Sequence, residues 1–451
     1  MNGARAWYVT VLLGLLYVVA YVDRLVLALL VEPLKAEFAV SDVSLGLLIG
    51  MTFGLFYAAV GVPLGRLADR GNRRNLVVAG VFVWGMATFL SAWVTSFAAL
   101  AVLRIGVAIG EAVLTPCALS MISDMFPRER RAGATSFYVF CGATGGFGAY
   151  LFGGLVVAAA NAAPTLDVLG FGPLSPWRAV FLIVSLPAFV LATLFVLTVK
   201  EPARSGPQVP AGATSGPVNE GLAGYLRCDG TMLAKIFVGS SLGQLILIGL
   251  TTWTPTFLVR RYGWSVDDAG IALGSYGIVA AMVGLALIPR LANRLTLAGR
   301  RDALPIVCAA SVGIALPIIL IATQMETGAA FIAVAALSFV PLVCTGTLAM
   351  IAIQWVAPPR AQAVLAAVLF LINSLIAFGG GPALVTLIAE GGWFGAHDLG
   401  SAFAWLTAIA APTGALLLWH SRRHFAQAYS RATSPSPSVG ATLVPSVENA
   451  R

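Results

Sequence analysis

Gly65-Arg66-Leu67-Ala68-Asp69-Arg70-Gly71-Asn72-Arg73-Arg74 sits between two long apolar runs. Two glycines flank Arg66, Asp69 and Arg70, and Arg73 and Arg74 follow, four arginines and one aspartate in ten residues. A soluble domain has little use for so charged a segment fused to apolar sequence on both sides. A tight turn between two membrane helices, held on the side where positive charge accumulates, accounts for it.

The rest of the chain agrees. It has 451 residues, of which 59% are hydrophobic and 10% charged, against about 25% charged in soluble proteins. That composition is the mark of a polytopic membrane protein. The net charge of +8 does not point to nucleic acid, because the basic residues recur in alternate loops. The run from Trp7 to Val31 is longer than a signal-peptide core and precedes no small-residue cleavage site, so it reads as the first helix. Cys117, Cys141, Cys228, Cys308 and Cys344 form no C-x-x-C pair and read as small hydrophobic residues. His420 and His424 share a helix face but lack a third ligand, so no metal and no cofactor is expected.

Twelve segments are long enough to span, each needing roughly 20 residues. The count drops to ten or eleven if the Gly/Pro-rich stretch 377–392 is broken. With the N-terminus in the cytoplasm, inside loops collect Arg66, Arg70, Arg73, Arg74, Arg128, Arg130, Arg131, Lys200, Arg290, Arg294, Arg300 and Arg301. Outside loops hold mainly Lys35, Arg178, Arg260 and Arg261. The bias places both termini in the cytoplasm of a bacterial cell, with the chain in the inner membrane. Residues 201–230 are rich in Pro, Gly and Ser and read as a linker between a six-helix half, 1–200, and a second, 231–425. The tail, 426–451, reads as disordered.

Ionisable groups inside spans are costly and mark function. Asp23, Arg24, Arg104 and Glu111 all fall in the first half. Asp23 and Arg104 each lie about seven residues, roughly 10 Å, from the outer ends of their helices, so they are candidates for a salt bridge. Glu111 follows Arg104 by two turns and returns to the same face about 10 Å deeper, near the midplane. The expectation is that Arg104 and Glu111 face one wet cavity with Thr115. Glu111 and Asp23 would carry protons, and Arg104, Glu111 and Thr115 would bind substrate. The competing reading is a buried ion network that only fixes packing. Arg24, turned about 100° from Asp23, pairs elsewhere or snorkels outward and is left unassigned, with a structural role preferred. At the cytoplasmic edge Asp69, Arg73 and Asp124 form a second set. A carboxylate there can accept from the N-terminus of the eleventh helix and latch a gate.

Glycine-bounded Gly65–Arg74 resembles the signature loop of the major facilitator superfamily. Arg104-Ile105-Gly106-Val107-Ala108-Ile109-Gly110-Glu111-Ala112, continuing through Pro116 to Ile122-Ser123-Asp124-Met125-Phe126-Pro127 and Arg130-Arg131, is similar to the pattern of spinster-type members. So are Tyr21-Val22-Asp23-Arg24, Trp177-Arg178, Lys200-Glu201-Pro202 and Trp253-Thr254-Pro255-Thr256-Phe257-Leu258. The resemblance covers most of 15–260 and implies an all-α membrane protein with twelve transmembrane helices in two six-helix halves. It implies that the signature loop acts in gating. It also implies transport of lysophospholipid or sphingosine-1-phosphate-like lipid driven by protons. Gly142, Gly145, Gly146 and Gly148 in the fifth helix partly match an antiporter motif that usually carries a proline, so antiport and symport both stay open.

The leading expectation is a monomeric, proton-coupled secondary transporter of an amphipathic anionic lipid, working by alternating access among membrane lipids. The alternative is a proton-coupled carrier of small organic anions or drugs. An enzyme is not expected: no H-E-x-x-H and no G-x-x-x-x-G-K-[ST] occurs.

Overall fold

The structure, a computed structural model, describes residues 3–162, 166–167, 173–204 and 218–433. Twelve helices long and apolar enough to cross a membrane occur among them. They are α1 (Gly3–Leu29), α2 (Asp42–Ala68), α3 (Arg73–Trp93), α4 (Phe97–Met125), α5 (Gly133–Ala162) and α6 (Pro176–Thr198), then α7 (Gly224–Tyr262), α8 (Val266–Leu297), α9 (Ala303–Thr323), α10 (Gly328–Val356), α11 (Val364–Glu390) and α12 (Leu399–Thr433). A two-residue antiparallel pairing, Leu166–Asp167 with Pro173–Leu174, lies between α5 and α6. In a hydrocarbon solvent each backbone group must bond within its own segment, so apolar runs of this length become helices. Their starts are fixed by hydroxyl and amide caps that satisfy the first free N–H groups. Ser41 caps α2, Asn72 caps α3, Ser96 caps α4, Ser265 caps α8 and Thr327 caps α10.

Three expectations about boundaries change. The charged turn is shorter than its sequence reads: helix continues through Arg70 and resumes at Arg73, so only Gly71 and Asn72 turn. Helix also begins at Val218, within the stretch read as linker; residues 205–217 lie outside the described residues. And α12 runs to Thr433, into the segment read as a disordered tail, because Phe425 and Ala428 are buried on one face. Residues 434–451 lie outside the described residues. The Gly379-Gly380-Gly381-Pro382 stretch does not interrupt α11; a π-helical turn over Ser374–Gly379 absorbs it. A second π turn, Leu47–Thr52, lies in α2.

Helices α1–α6 form one bundle and α7–α12 another, and the two meet where α2 packs on α11 and α5 on α8. The end bearing the α2–α3 turn, the start of α1 and the end of α12 is called the basic end below; the other is the distal end. Small residues make the seams close. A Cβ on Gly50 would stand 2.8 Å from the carbonyl oxygens of both Phe378 and Gly379, and one on Gly277 would collide with the Phe147 ring. The halves therefore touch backbone to backbone in the distal part of the molecule.

Candidate functional site

Asp23 and Arg24 are neighbours on α1, and the helix sends them to opposite sides. Asp23 turns into its own bundle. Its carboxylate stands 3.3 Å from Arg104 Nη1 on α4 and accepts a hydrogen bond from the Thr88 hydroxyl on α3. Arg104 also donates to Ser91 Oγ at 3.3 Å and stacks on the Phe181 ring, 5.0 Å from its centre. The equal depth read from sequence thus brings Asp23 and Arg104 together. The guanidinium is 4% exposed and enclosed on these sides by protein.

Arg24 turns toward the other half. Its Nη2 lies 2.5 Å and its Nε 3.1 Å from Oε2 of Glu111 on α4. Its guanidinium lies over the Phe53 ring at 4.0 Å, with Tyr21, Tyr57 and Phe378 at 5.1, 5.3 and 5.6 Å. Phe378 belongs to α11, so rings from both halves frame one cation. The second oxygen of Glu111, Oε1, is buried and has no hydrogen-bond partner among the described residues. An ionised carboxylate left half-bonded in a dry interior is costly. It is a natural place for a proton.

Arg104 and Glu111 therefore do not share a partner or a cavity, contrary to the sequence expectation; Arg24 takes the place given to Arg104. The reason is the lean of helical side chains toward the N-terminus of their helix. On α4, which starts at the distal end, Arg104 leans distally toward Asp23 and away from Glu111. On α1, which starts at the basic end, Arg24 leans back toward the midplane, where Glu111 lies. Spacing along α4 alone carries no sign of this.

Thr115 is one turn beyond Glu111. Its hydroxyl lies 3.1 Å from that of Tyr138, which stacks on Tyr17 at 4.8 Å between ring centres. Tyr17 in turn meets Tyr21 at 5.2 Å. This aromatic file borders a cleft of about 20 Å³ at Arg24, walled by Phe53, Tyr57 and Phe378, with room for about one water. Tyr21 and Phe378 also line a second chamber of about 170 Å³ between the halves, with Phe147, Gln244, Ile248 and Val343. It is mostly apolar, with polar groups at Gln244, Thr251 and Tyr150.

At the basic end Arg73 is 1% exposed and joins three segments. It pairs with Asp124, with Glu201 Oε1 at 2.8 Å, with Ser120 Oγ at 2.9 Å and with the Pro202 carbonyl at 3.0 Å. Arg204 closes the same cluster by donating to the Ala68 and Gly71 carbonyls at 2.9 and 2.6 Å. The side chain of Asp69 lies outside the described residues. All these partners of Arg73 belong to α4 or the chain just after α6. The sequence names Glu201 only as part of a motif and gives it no role.

The distal end holds a cluster that sequence reading missed. Arg260, at the end of α7, donates to both oxygens of Asp42 at 2.5 and 2.9 Å and to Glu32 at 2.7 Å. Lys35 adds a bond to Asp42 at 2.8 Å. Glu390, at the end of α11, accepts from the backbone N–H of Asp42 and of Val43 at 2.7 and 3.3 Å. Among the described residues, the ion pairs that cross between the halves lie here. The available signal was Ser41-Asp42 at a helix start, where the helix dipole favours a carboxylate and the carboxylate in turn draws a cation.

The letters of a hydrolase nucleophile elbow occur once, in Gly239-Ser240-Ser241-Leu242-Gly243. That motif needs a sharp strand-to-helix turn. Here it lies mid-helix in α7, with Ser241 1% exposed.

Comparison with known proteins gives a consistent picture. The family description Major Facilitator Superfamily matches residues 13–382. An MFS-type efflux pump of Mycolicibacterium smegmatis is 31% identical over 425 residues, 92% of this chain and 92% of that protein. The sphingosine-1-phosphate transporter SPNS2 of Danio rerio is 25% identical over 83% of this chain and 74% of its own. Among solved structures, a bacterial homolog of the human lysosomal transporter spinster, inward-facing and unoccupied, superposes with a TM-score of 0.76 at 27% identity, covering 97% of this chain and all of that one.

Proposed function

This chain belongs to the major facilitator superfamily, and we propose that it is a proton-coupled carrier of an amphipathic anion, working by alternating access. The observation that carries the reading is the Arg24–Glu111 pair, buried at the meeting of the two halves with one Glu111 oxygen unpartnered. Arg24 is the anchor and Glu111 the proton carrier. With Glu111 ionised, its carboxylate occupies the guanidinium. Protonation removes that charge and frees Arg24 for the carboxylate or phosphate of a cargo. Linkage is reciprocal: proton uptake strengthens anion binding, and bound anion favours the proton. Asp23 and Arg104 form a permanent pair that holds α1 against α4 and so aims Arg24.

The apolar chamber beyond Tyr21 and Phe378 receives the cargo's apolar part. Lysophospholipid or sphingosine-1-phosphate-like lipid is the first class; the relative SPNS2 is named a sphingosine-1-phosphate transporter. The size of the chamber favours a second. At about 170 Å³ it is a compact, mostly apolar space. Small aromatic organic anions fit it directly, whereas a lipid tail must leave the chamber. The basic end faces the cytoplasm of a bacterial cell and the carrier works as a monomer; the closed distal cluster supports an inward-facing state. Arg73, Asp124 and Glu201 brace the cytoplasmic gate, to which the signature-loop residue Asp69 is also assigned.

Proteoliposomes with an imposed pH gradient test the reading, offered lysophospholipids or benzoate-type acids. Wild-type protein should concentrate one class and respond to the gradient. Glu111→Gln should bind anion independently of pH and lose gradient-driven accumulation. Gradient-driven uptake that survives in Glu111→Gln removes Glu111 as the proton carrier.

A further inference from the structure

The face of α8 turned away from α5 carries a groove against α10. Tyr276, Val279, Val283 and Leu337 form its walls and the small Ala333 and Ala336 its floor, and it encloses about 570 Å³. Val279 and Leu337 are 62% and 59% exposed, so the groove opens away from the protein into the surrounding bilayer. It is separate from the chamber at Arg24, and nothing in the proton-coupled cycle uses it.

The same face of α8 continues to the basic end. At helical spacing Tyr276, Val279, Val283, Leu287, Arg290 and Arg294 fall on one stripe. Leu287 is 58% exposed and both arginines are exposed. Arg290 folds back to donate to the Ala286 carbonyl at 2.5 Å, which brings its guanidinium toward the groove's mouth. From Arg290 to Val279 the rise is roughly 16 Å, about half of the ~30 Å hydrocarbon core. The groove itself, lined on α8 from Ser275 to Val283, lies roughly 10–22 Å from Arg290 along the helix, so an acyl chain whose headgroup sits at the two cations reaches it near the midplane. At about 570 Å³ and open on its outer side, the groove has room for an acyl chain to lie along it.

We propose that this groove is the seat of one resident anionic phospholipid from the leaflet at the basic end, its acyl chain between α8 and α10 and its phosphate at Arg290 and Arg294. A second copy of the chain fits less well. Two copies related by an axis along the membrane normal would bring the same arginines to the same level and repel.

Native mass spectrometry of the full-length protein in detergent tests this, with phosphatidylglycerol and phosphatidylcholine as competing probes. Wild-type protein should retain one phosphatidylglycerol in preference to phosphatidylcholine. Near a membrane surface each arginine is worth about 1 kcal/mol, or about 5-fold, so Arg290→Gln with Arg294→Gln should cut that preference about 25-fold. Arg290→Lys with Arg294→Lys should keep it. Ala333→Trp, which fills the groove, should weaken both lipids alike. An equal preference in wild type and the double glutamine variant overturns the proposal. So does loss of the bound lipid in Arg24→Gln, which would place it in the central cavity. A dimer that Ala333→Trp dissolves would overturn it too, by assigning the groove to a second copy. The arginines are exposed, so their variants decide the matter even if Ala333→Trp does not fold.

Discussion

Replacing Asp42 by Asn should tip the carrier toward its distally open state. Asp42 is nearly buried, its side chain 7% exposed, while that of Arg260 is 33% exposed. The bidentate Arg260–Asp42 contact exists only while the distal end is closed, since its two residues belong to different halves. Lys35–Asp42 lies within one half and cancels between the two states. A hydrogen bond to a charged group contributes about 1.5–3 kcal/mol when buried, and a solvent-exposed pair about 0–1. For a pair with one buried and one half-open partner, about 2 kcal/mol is a fair value for the charge-dependent part. At 1.4 kcal/mol per tenfold, Asp42→Asn should raise the ratio of distally open to closed protein about 30-fold. Spin labels at Ala36→Cys and Glu326→Cys, both exposed distal positions in different halves, report the change on a Cys228→Ser background. Double electron–electron resonance should show a short distance in wild type and a second, longer one in Asp42→Asn. The swap Asp42→Arg with Arg260→Asp should restore much of the short distance. A distribution unchanged by Asp42→Asn would show that glycine packing alone closes this end and that the ion cluster contributes nothing.

Other consequences are open to direct measurement. Arg24→Ala should destabilise the protein by about 3–5 kcal/mol by stranding Glu111, and Glu111→Gln in the same chain should recover part of it; additive losses in detergent unfolding would deny the coupling. Gly50→Leu should hold α2 off the Phe378 and Gly379 carbonyls, so that a cysteine introduced at the buried distal position Leu45 becomes accessible to thiol reagents and transport stops. Arg73→Ala should leave Asp124 and Glu201 without their shared cation and lower the unfolding midpoint, and Arg73→Lys should rescue only part, because one ammonium cannot serve four acceptors.

Hydropathy and loop charge were enough to read the fold, because a span needs only length and apolarity and leaves its trace residue by residue. Asp23–Arg104 was legible as well, since depth along two helices is a count of residues. Arg24–Glu111 was not. Its partners differ in depth at their Cα atoms and meet only through side-chain lean, which changes sign with helix direction. Counting Arg260 as one of a few outside charges hid its partner, for loop-charge bias records sign and not neighbours. Helix through Arg70 escaped reading because a glycine-bounded charged string looks like a loop, although Leu67-Ala68-Asp69-Arg70 has no helix breaker.

The middle and the last residue of α11 tie the site to the latch. At its π turn, Phe378 stands against Arg24; at its last residue, Glu390 caps the start of α2. Between them Gly380–Glu390 is one uninterrupted α-helix, packed on α7 through the Trp253 indole, which donates to the Pro382 carbonyl at 2.9 Å. A π turn leaves its neighbouring carbonyls loosely committed, and such turns occur often at functional sites. The one in α11 faces its counterpart in α2 at the seam where Gly50 meets Gly379. A cargo that displaces Phe378 from Arg24 therefore pushes on the least regular point of a helix whose far end holds the distal gate. Two discrete arrangements of that helix, one with Glu390 capping α2 and one without, are what a bistable carrier needs for occupancy at the midplane to be felt at the membrane surface.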